Sequence, residues 1–356
     1  MEKNIFASGC YTEKSNIPNA CGEGIVLLSL DDKTGRLSKL TVTEGVKNPS
    51  YLDWDRDSQT LYAITENPSG EGEVRSFFRK PDNTLVLSSL QVGPGQAGCH
   101  IKAVKQLHRI FAASYRGGSL KSYFLEEGHV GPSLCFIEYS GCGPDADRQG
   151  TPHAHQVLPG PDNAYLYVCD LGSDRVWIHD AQKSDLPIIS SFIVPPGYGP
   201  RHLAFDPEGK YAFILCELVP RLLVVRLNRE DGSLVLEQDL STVGEDSTGG
   251  AAPAAVKVHP SGKTVAVSNR FDDTITIFKI QRNPGALSLK VAESFSSRGK
   301  VPRDICFSPS GRWLLMAHQD SNDVQIREIN PENGLTKEYW SEPLSLGSPV
   351  CLIPLD

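Results

Sequence analysis

Short apolar runs follow one another along the whole chain, and many of them break at a tight turn and then resume. The clearest copy covers residues 200–217, in which PRHLAF, the turn DPEGK and YAFILCE succeed one another. Short β-rich runs bounded by Gly, Pro and Asp are typical of strands, and we find no long stretch with the period of an amphipathic helix. The pattern therefore predicts an all-β protein.

The turn-linked pair of runs recurs six times, at intervals of 46 to 56 residues. Two further strand-like runs follow each pair, as at 222–227 and 233–240, so that one repeat contains four strands. A period near fifty residues built from short strands is typical of a β-propeller, in which each repeat is one blade. The turns begin near Asp55, Val104, Gly160, Asp206, His259 and Ser308.

The two ends of the chain supply one more blade between them. Residues 5–10, 24–30 and 37–42 resemble the second, third and fourth strands of a repeat, whereas residues 347–353 resemble a first strand. Pairing these segments would remove open sheet edges and close the ring. We therefore predict a single domain over residues 1–356, a seven-bladed β-propeller with four antiparallel strands per blade and one blade shared between the N- and C-termini. Six or eight blades fit the spacing less well.

Composition and charge narrow the partners that such a propeller would have. The formal net charge is −8, which disfavours nucleic acid and anionic membranes as partners. The nine cysteines form no CxxC pair, and reduced thiols are expected. Neither an apolar signal-peptide core nor a run of about 18 apolar residues is present, so we predict a cytoplasmic location. A closed ring is self-sufficient, which favours a monomer.

Polar residues stand at unusual places in this pattern. First strands lie along the central channel of a propeller and begin near one mouth, and second strands return to that same mouth. Innermost strands usually carry apolar or small side chains, so charged residues at equivalent places in several blades predict a functional site there. The first-strand candidates are His100, His153, His155, Arg201 and Arg303, and those at the ends of second strands are Asp170, Glu217 and Arg270.

Two other interpretations of these residues compete with catalysis. The side chains could bond only to one another and to channel water. Alternatively, His153 and His155 could bind a metal with Glu217 or Asp170 as third ligand, because residues two apart on a strand share a face. The nearby arginines would oppose a dication and suit an anionic substrate better, so no metal and no cofactor are predicted. His202 follows Arg201 and is expected to point into the blade packing.

The chain resembles the seven-bladed lactonase family, which includes bacterial 6-phosphogluconolactonases and fungal carboxymuconate cyclases. The resemblance covers almost the whole chain and is carried by six segments in order. They are residues 140–149 (SGCGPDADRQ) with 152–155 (PHAH), 170–176 (DLGSDRV), 199–205 (GPRHLAF), 268–270 (SNR), 302–304 (PRD) and 319–324 (QDSNDV).

The resemblance implies a catalytic set formed by one His, one Glu and two Arg. By motif position these are His155, Arg201, Glu217 and Arg270, while His100, His153, Asp170 and Arg303 would bind substrate. Two positions depart from the family pattern. Ala255 stands where an acidic residue is usual, and His318 stands where Asn is usual. These changes alter the wall of the site and bear on which lactone is used.

The resemblance thus implies a lactonase that acts on a small anionic lactone, with 6-phosphogluconolactone as the expected substrate. Glu217 or His155 would take a proton from water, Arg201 would stabilise the oxyanion, and Arg270 would hold a phosphate or carboxylate. The same groups could run a ring closure, so a cycloisomerase of the carboxymuconate type is an alternative. A non-enzymatic propeller that binds a partner on its rim is another, because fold does not fix function.

Overall fold

The structure is a computed structural model that describes residues 3–14, 17–244, 247 and 250–355. Twenty-eight strands and one turn of 3-10 helix, Lys105–Leu107, make up the regular elements of this part of the chain. The strands form seven antiparallel sheets of four. The predicted seven-bladed propeller with four strands per blade is therefore confirmed.

Six blades each consist of four strands that are consecutive in the chain. Blade 2 contains β4 (Pro49–Asp55), β5 (Thr60–Thr65), β6 (Glu71–Arg79) and β7 (Leu85–Gln96). Blade 3 contains β8 (Gly98–Val104), β9 (Arg109–Ser114), β10 (Ser119–Glu126) and β11 (His129–Glu138). Blade 4 contains β12 (Ala154–Pro159), β13 (Tyr165–Asp170), β14 (Arg175–Asp180) and β15 (Ile188–Ile193).

The remaining three consecutive blades follow the same plan. Blade 5 contains β16 (Pro200–Phe205), β17 (Tyr211–Cys216), β18 (Arg221–Leu227) and β19 (Leu234–Ser241). Blade 6 contains β20 (Ala252–Val258), β21 (Thr264–Arg270), β22 (Thr274–Asn283) and β23 (Ala286–Ser296). Blade 7 contains β24 (Pro302–Phe307), β25 (Trp313–His318), β26 (Asp323–Ile329) and β27 (Thr336–Ser345).

Blade 1 is assembled from both ends of the chain. It contains β28 (Pro349–Pro354), β1 (Lys3–Cys10), β2 (Ile25–Asp31) and β3 (Leu37–Thr43), in that order across the sheet. The closing pair runs antiparallel, with Phe6 opposite Pro354 and Gly9 opposite Cys351. The predicted pairing of the termini is confirmed, and it covers edges that would otherwise be free to pair with another chain.

The hydrophobic core is divided among the contacts between blades. Seven clusters of buried apolar side chains each join two neighbouring blades, and together they complete the circle. Apolar residues alternate between the two faces of the inner strands, so each blade packs against both neighbours. The seven first strands also contact one another in sequence around the axis. This arrangement lines the central channel with the first strand of every blade.

A β-bulge interrupts the start of every first strand. In blade 5, for example, Pro200 pairs with Cys216 and His202 with Leu215, which leaves Arg201 without a partner in the ladder. Bulges re-aim side chains and are common beside active sites. In this propeller they form a ring around the axis near one mouth. The unpaired residues are Ser50, Cys99, His155, Arg201, Ala254 with Ala255, Arg303 and Val350.

Candidate active site

A single carboxylate holds three guanidinium groups at the mouth where the first strands begin. Glu217, which follows the last residue of β17, accepts a hydrogen bond from Arg201 Nε at 2.9 Å on Oε2 and from Arg148 Nη2 at 2.7 Å on Oε1. The Nη2 atom of Arg270 lies 2.8 Å from the same Oε2. The Glu217 side chain is only 8% exposed. Three of the four predicted catalytic residues therefore meet in direct contact.

The surroundings of Glu217 fix it as a carboxylate. Burial alone would raise its pKa, but the charges of Arg270, then Arg201, outweigh burial and hold the pKa well below its usual range. Both oxygens are also occupied by guanidinium donors. Glu217 is consequently a weak proton acceptor, and its direct physical effect is to position the arginines around it.

Arg201 is buried and held in place by fixed partners. In addition to Glu217, its Nη1 donates to the carbonyl oxygen of Ala254 and lies 3.4 Å from His202 Nε2. Burial, then the charge of Arg270, lowers the pKa of Arg201 to about 10, which leaves the group charged at neutral pH. For Nη2 we find no hydrogen-bond acceptor among the described residues. This atom is the one through which Arg201 can donate to a bound molecule.

His155 lies in the same ring of bulge residues as Arg201, and both line a small internal space of about 10 Å³. Burial, then the charge of Arg201, places the pKa of His155 well below its usual range, so the imidazole is neutral at pH 7. Its Nδ1 is buried and has no hydrogen-bond partner in the part of the chain that the structure describes. The neutral imidazole therefore has a ring nitrogen that no described group of the protein occupies, whereas both Glu217 oxygens already accept hydrogen bonds from guanidinium groups.

His100, which was predicted to bind substrate, does not lie in this cluster. The unpaired residue of blade 3 is Cys99, so His100 stands one step further along the channel. There its ring lies 4.1 Å from that of Tyr51 and 5.8 Å from that of His202. The cause is the bulge at Cys99, which moves His100 one residue further from the mouth than the repeat pattern predicts.

His202 also departs from its predicted orientation. Instead of packing inside its blade, its ring lies 5.1 Å from that of His155 and contacts the rings of Tyr51 and His100 from other blades. Because Arg201 is bulged, the strict alternation of β16 is lost and consecutive side chains both reach the axis. His202 thus forms part of a second layer directly beneath the bulge residues.

The rim of the mouth is built around Tyr115, which follows β9. The ring of His153 stacks on it at 4.3 Å, and His153 Nδ1 lies 2.8 Å from the Tyr115 carbonyl oxygen. Arg148 donates to Tyr115 Oη at 3.3 Å as well as to Glu217. Arg148 belongs to the segment between blades 3 and 4, and its side chain is 44% exposed. Neither Arg148 nor Tyr115 has a role predicted from the sequence.

Asp170 and Arg303 occupy different surroundings. The Asp170 carboxylate is fully buried and accepts hydrogen bonds from the backbone N–H groups of His153, Gly172 and Ser173, the Ser173 hydroxyl and the Trp177 indole. These donors leave Asp170 no position for a substrate, so it shapes the rim instead. Arg303 is one of the bulge residues, donates to Gln319 Oε1 at 3.2 Å and lines the same small space as His155.

The histidines of the PHAH segment do not form a metal site. His153 is held by the backbone of Tyr115, and His155 lies deeper among the arginines. Among the described residues, no group of three or more His, Cys, Asp and Glu side chains is arranged to hold an ion. The charge of the cluster, with three guanidinium groups around one carboxylate, suits an anion.

A model of the family described as "Lactonase, 7-bladed beta-propeller" matches residues 6–354. The chain belongs to this lactonase family. One curated relative, the 6-phosphogluconolactonase of Bacillus subtilis, is 28% identical over 354 residues, covering 99% of this chain and 98% of the relative.

Solved structures of similar proteins span almost the same length as this chain. A candidate 6-phosphogluconolactonase of Bacteroides fragilis superposes with a TM-score of 0.89 at 29% identity, over 99% of this chain and 98% of that one. The periplasmic gluconolactonase of Pseudomonas aeruginosa gives a TM-score of 0.89 at 25% identity, over 100% and 99% of the two chains.

One of the similar proteins is periplasmic, so the cytoplasmic location of this chain stays a prediction. Within the residues that the structure describes, no helix has the length and apolar character needed to span a bilayer. All nine cysteines are free, and six of them are buried.

Proposed function

We propose that this lactonase hydrolyses 6-phosphogluconolactone to 6-phosphogluconate without a metal ion. The observation that carries the proposal is the excess of guanidinium groups over carboxylates at one channel mouth, in a protein whose formal net charge is −8. A local positive site in an acidic protein attracts and orients an anionic substrate. The names of the relatives support a lactone as that substrate and hydrolysis as the reaction.

In the proposed mechanism, His155 accepts a proton from a water molecule as that water attacks the lactone carbonyl carbon. Arg201 donates through its free Nη2 to the oxyanion that forms on the carbonyl oxygen. When the tetrahedral intermediate collapses, the bond from carbon to the ring oxygen breaks, and the protonated imidazole returns its proton to that oxygen. The product acid then ionises in water.

Glu217 acts as a positioning residue in this scheme. Its Oε2 holds Arg201 and Arg270 side by side, which keeps the donor of the oxyanion next to the group proposed to grip the substrate. Like-charged groups this close would otherwise separate, because each guanidinium repels the next. The fixed arrangement means that little reorganisation is needed when charge develops during the reaction.

Arg270 and Arg148 are proposed to bind the phosphate of the substrate. Arg270 Nε donates to the Ala252 carbonyl at 2.9 Å and Nη2 faces Glu217, so that one edge of its guanidinium group is fixed. Arg148 approaches from the loop side and is the most exposed of the three guanidinium groups around Glu217. Arginine suits this task because its fork matches the oxygen spacing of phosphate and carboxylate groups.

A panel of lactones tests the proposal. We expect 6-phosphogluconolactone to be opened well above its spontaneous rate, with KM rising as ionic strength increases, and its neutral counterpart to have a much higher KM. Arg270→Ala should raise KM for the phosphorylated lactone by about tenfold or more and leave kcat within about threefold. Acid release, followed against the spontaneous rate, gives both constants.

Two results of this panel would contradict the proposal. Equal turnover of neutral and phosphorylated lactones, without salt dependence, would indicate a broader lactonase. Failure to incorporate oxygen from isotopically labelled water into the acid product would exclude hydrolysis and favour the cycloisomerase alternative. If none of the lactones is turned over, the non-enzymatic propeller is the alternative that remains.

Arg201→Ala should lower turnover instead of binding. Because the charge that Arg201 meets appears only in the transition state, we expect kcat to fall by about 10²- to 10³-fold with little change in KM. Arg226→Ala is the matched control, since it breaks an exposed pair with Glu237 on the outer part of the same blade. If Arg201→Ala instead raises KM and leaves kcat unchanged, Arg201 binds the substrate and does not stabilise the oxyanion.

A further inference from the structure

The channel has a second opening at the end opposite the candidate active site. There the later residues of the first strands surround a cavity of about 320 Å³. This volume lies at the lower end of the range for small-molecule sites. The residues that line it include Lys102, Gln156, Leu158, Phe205, Lys257, Val258 and Ile353, with His100 at the floor.

This cavity is separate from the mouth that holds Glu217. Between the two lie the bulge residues, among them His155 and Arg201, which together with Arg303 enclose a space of only about 10 Å³. One water molecule is the most that such a space holds. A molecule bound at the opposite end would therefore be bound independently of the substrate.

Two ammonium groups face the cavity with donors to spare. Lys102 Nζ donates to Asp53 Oδ1 at 2.8 Å, and Lys257 Nζ lies 3.5 Å from Asp304 Oδ1. An ammonium group has three N–H bonds, so each lysine keeps at least one for a ligand. Burial lowers the pKa of Lys257, but the neighbouring acidic groups, Asp304 first and then Tyr51, together outweigh burial and raise the pKa, which keeps this ammonium charged.

The two aspartates are themselves held by backbone donors. Asp53 Oδ2 accepts from the N–H of Ala103 at 2.8 Å, and Asp304 Oδ2 accepts from the N–H of Leu352 at 2.8 Å. The negative charge of each carboxylate is thus shared between a lysine and a fixed peptide group. The unused N–H donors that face the cavity therefore belong to the two lysines.

Two more polar groups at the floor lack protein partners. His100 is 2% exposed, and its Nδ1 has no hydrogen-bond partner within the described chain. Gln156 Oε1 accepts from the N–H of Leu203 at 2.6 Å, but no acceptor for its Nε2 is found among the described residues. Buried polar groups normally have partners, so an unpartnered group beside a cavity points to a ligand.

The walls of the cavity are apolar where the floor is polar. Leu158, Phe205, Val258 and Ile353 line it. We propose that this opposite mouth is a second binding site, specific for a small organic carboxylate that carries an apolar body. The carboxylate would meet the lysine and amide donors, and the apolar body would cover the wall, which an inorganic anion could not do.

Titration with benzoate, observed through the ligand NMR signals, tests this site in the intact protein. We expect benzoate to bind the wild type about tenfold more tightly than benzyl alcohol, its uncharged analogue. Lys102→Met should weaken benzoate binding by about tenfold, because the ammonium is lost while the aliphatic stem is kept. Val258→Trp, which fills the cavity without a change of charge, should abolish binding even if Lys102→Met folds poorly.

Arg270→Ala is the control that separates the two mouths. Benzoate binding that survives in Arg270→Ala and disappears in Val258→Trp supports the second site. Binding that disappears in Arg270→Ala and survives in Lys102→Met and Val258→Trp would place benzoate in the candidate active site and overturn the inference. An absence of benzoate binding to the wild type at about 10 mM would overturn it as well. Neither result bears on whether the lactone is hydrolysed.

Discussion

Replacing His155 with glutamine should lower kcat for the phosphorylated lactone by about 10²- to 10⁴-fold, the range expected when a general base is lost. Glutamine keeps a polar side chain of similar size in the ring of bulge residues but cannot take up a proton at neutral pH. Steady-state kinetics against the spontaneous rate measure the loss. KM should change little, because the arginines that bind the anion remain in place.

The pH dependence gives a second measure of the same role. A base must be unprotonated to act, and the pKa of His155 lies well below 6.5. The wild-type kcat should therefore be flat from neutral pH down to below 6.5 and fall at lower pH, and this acid limb should be absent in His155→Gln. His129→Gln, which changes an exposed histidine on blade 3, is the control. If His155→Gln keeps kcat within about tenfold of the wild type, the base lies elsewhere.

The contrast between His155 and Glu217 shows why the base could not be chosen from the sequence. Both residues stand at the channel mouth by strand position, and both are common bases. Only the contacts separate them, because Glu217 forms ion pairs with three guanidinium groups whereas His155 Nδ1 has no hydrogen-bond partner in the described chain. Such contacts depend on rotamers and on how side chains from four blades meet.

The seven blades, their four strands each and the pairing of the termini were, in contrast, predictable from the sequence. The number of blades follows from the turn-linked strand pair, which recurs about every fifty residues, once in each blade. The closing strand follows from the incomplete repeats at the two ends of the chain. Six of the blades depend on local patterns that act within about fifty residues, and the seventh follows from matching the partial repeats at the two ends. Each blade then buries its apolar faces against its neighbours, and only the closing blade requires a contact between distant parts of the chain.

Which side chains lie in the layer of bulge residues and which lie in the layer beneath it was predicted less well. A shift of one residue along a first strand moves a side chain from one layer to the other. His100 was predicted to bind substrate at the mouth, but Cys99 is the unpaired residue of its blade and His100 lies one residue further along the channel. A signal was available, because in five of the seven blades a proline directly precedes the unpaired residue. Proline cannot donate to the ladder and is therefore found at bulges. These prolines are Pro49, Pro200, Pro253, Pro302 and Pro349.

Arg148 was missed for a different reason. It lies outside the strands, in a segment that the repeat does not describe, and reaches Glu217 across 69 residues of sequence. Loops carry function but have no period from which their position can be calculated. The SGCGPDADRQ segment that contains Arg148 supports the family resemblance, but it predicts no chemical role for this arginine.

Glu217→Gln should destabilise the protein more than other single changes of a charged residue. The substitution leaves three guanidinium groups at one buried point with no carboxylate between them, and breaking a buried ion pair in this way costs about 3–5 kcal/mol. Urea unfolding at neutral pH measures the loss. Glu237→Gln provides the matched control, because it breaks an exposed pair with Arg226 whose loss costs about 1 kcal/mol or less.

The pH dependence of this difference follows from the sign of the pKa shift. The pKa of Glu217 in the folded protein lies well below the value of 4.5 expected for the unfolded chain. The stabilisation from its ionised form is therefore complete above pH 4.5 and is lost as pH falls towards the folded-state pKa. The gap between wild type and Glu217→Gln should be constant from pH 8 to about pH 6 and shrink below pH 4.5. A gap that stays constant down to pH 3, or one that is absent at pH 7, would show that Glu217 does not neutralise the arginines. Other groups would then have to hold the arginines in place, and the positioning role proposed for Glu217 would be wrong.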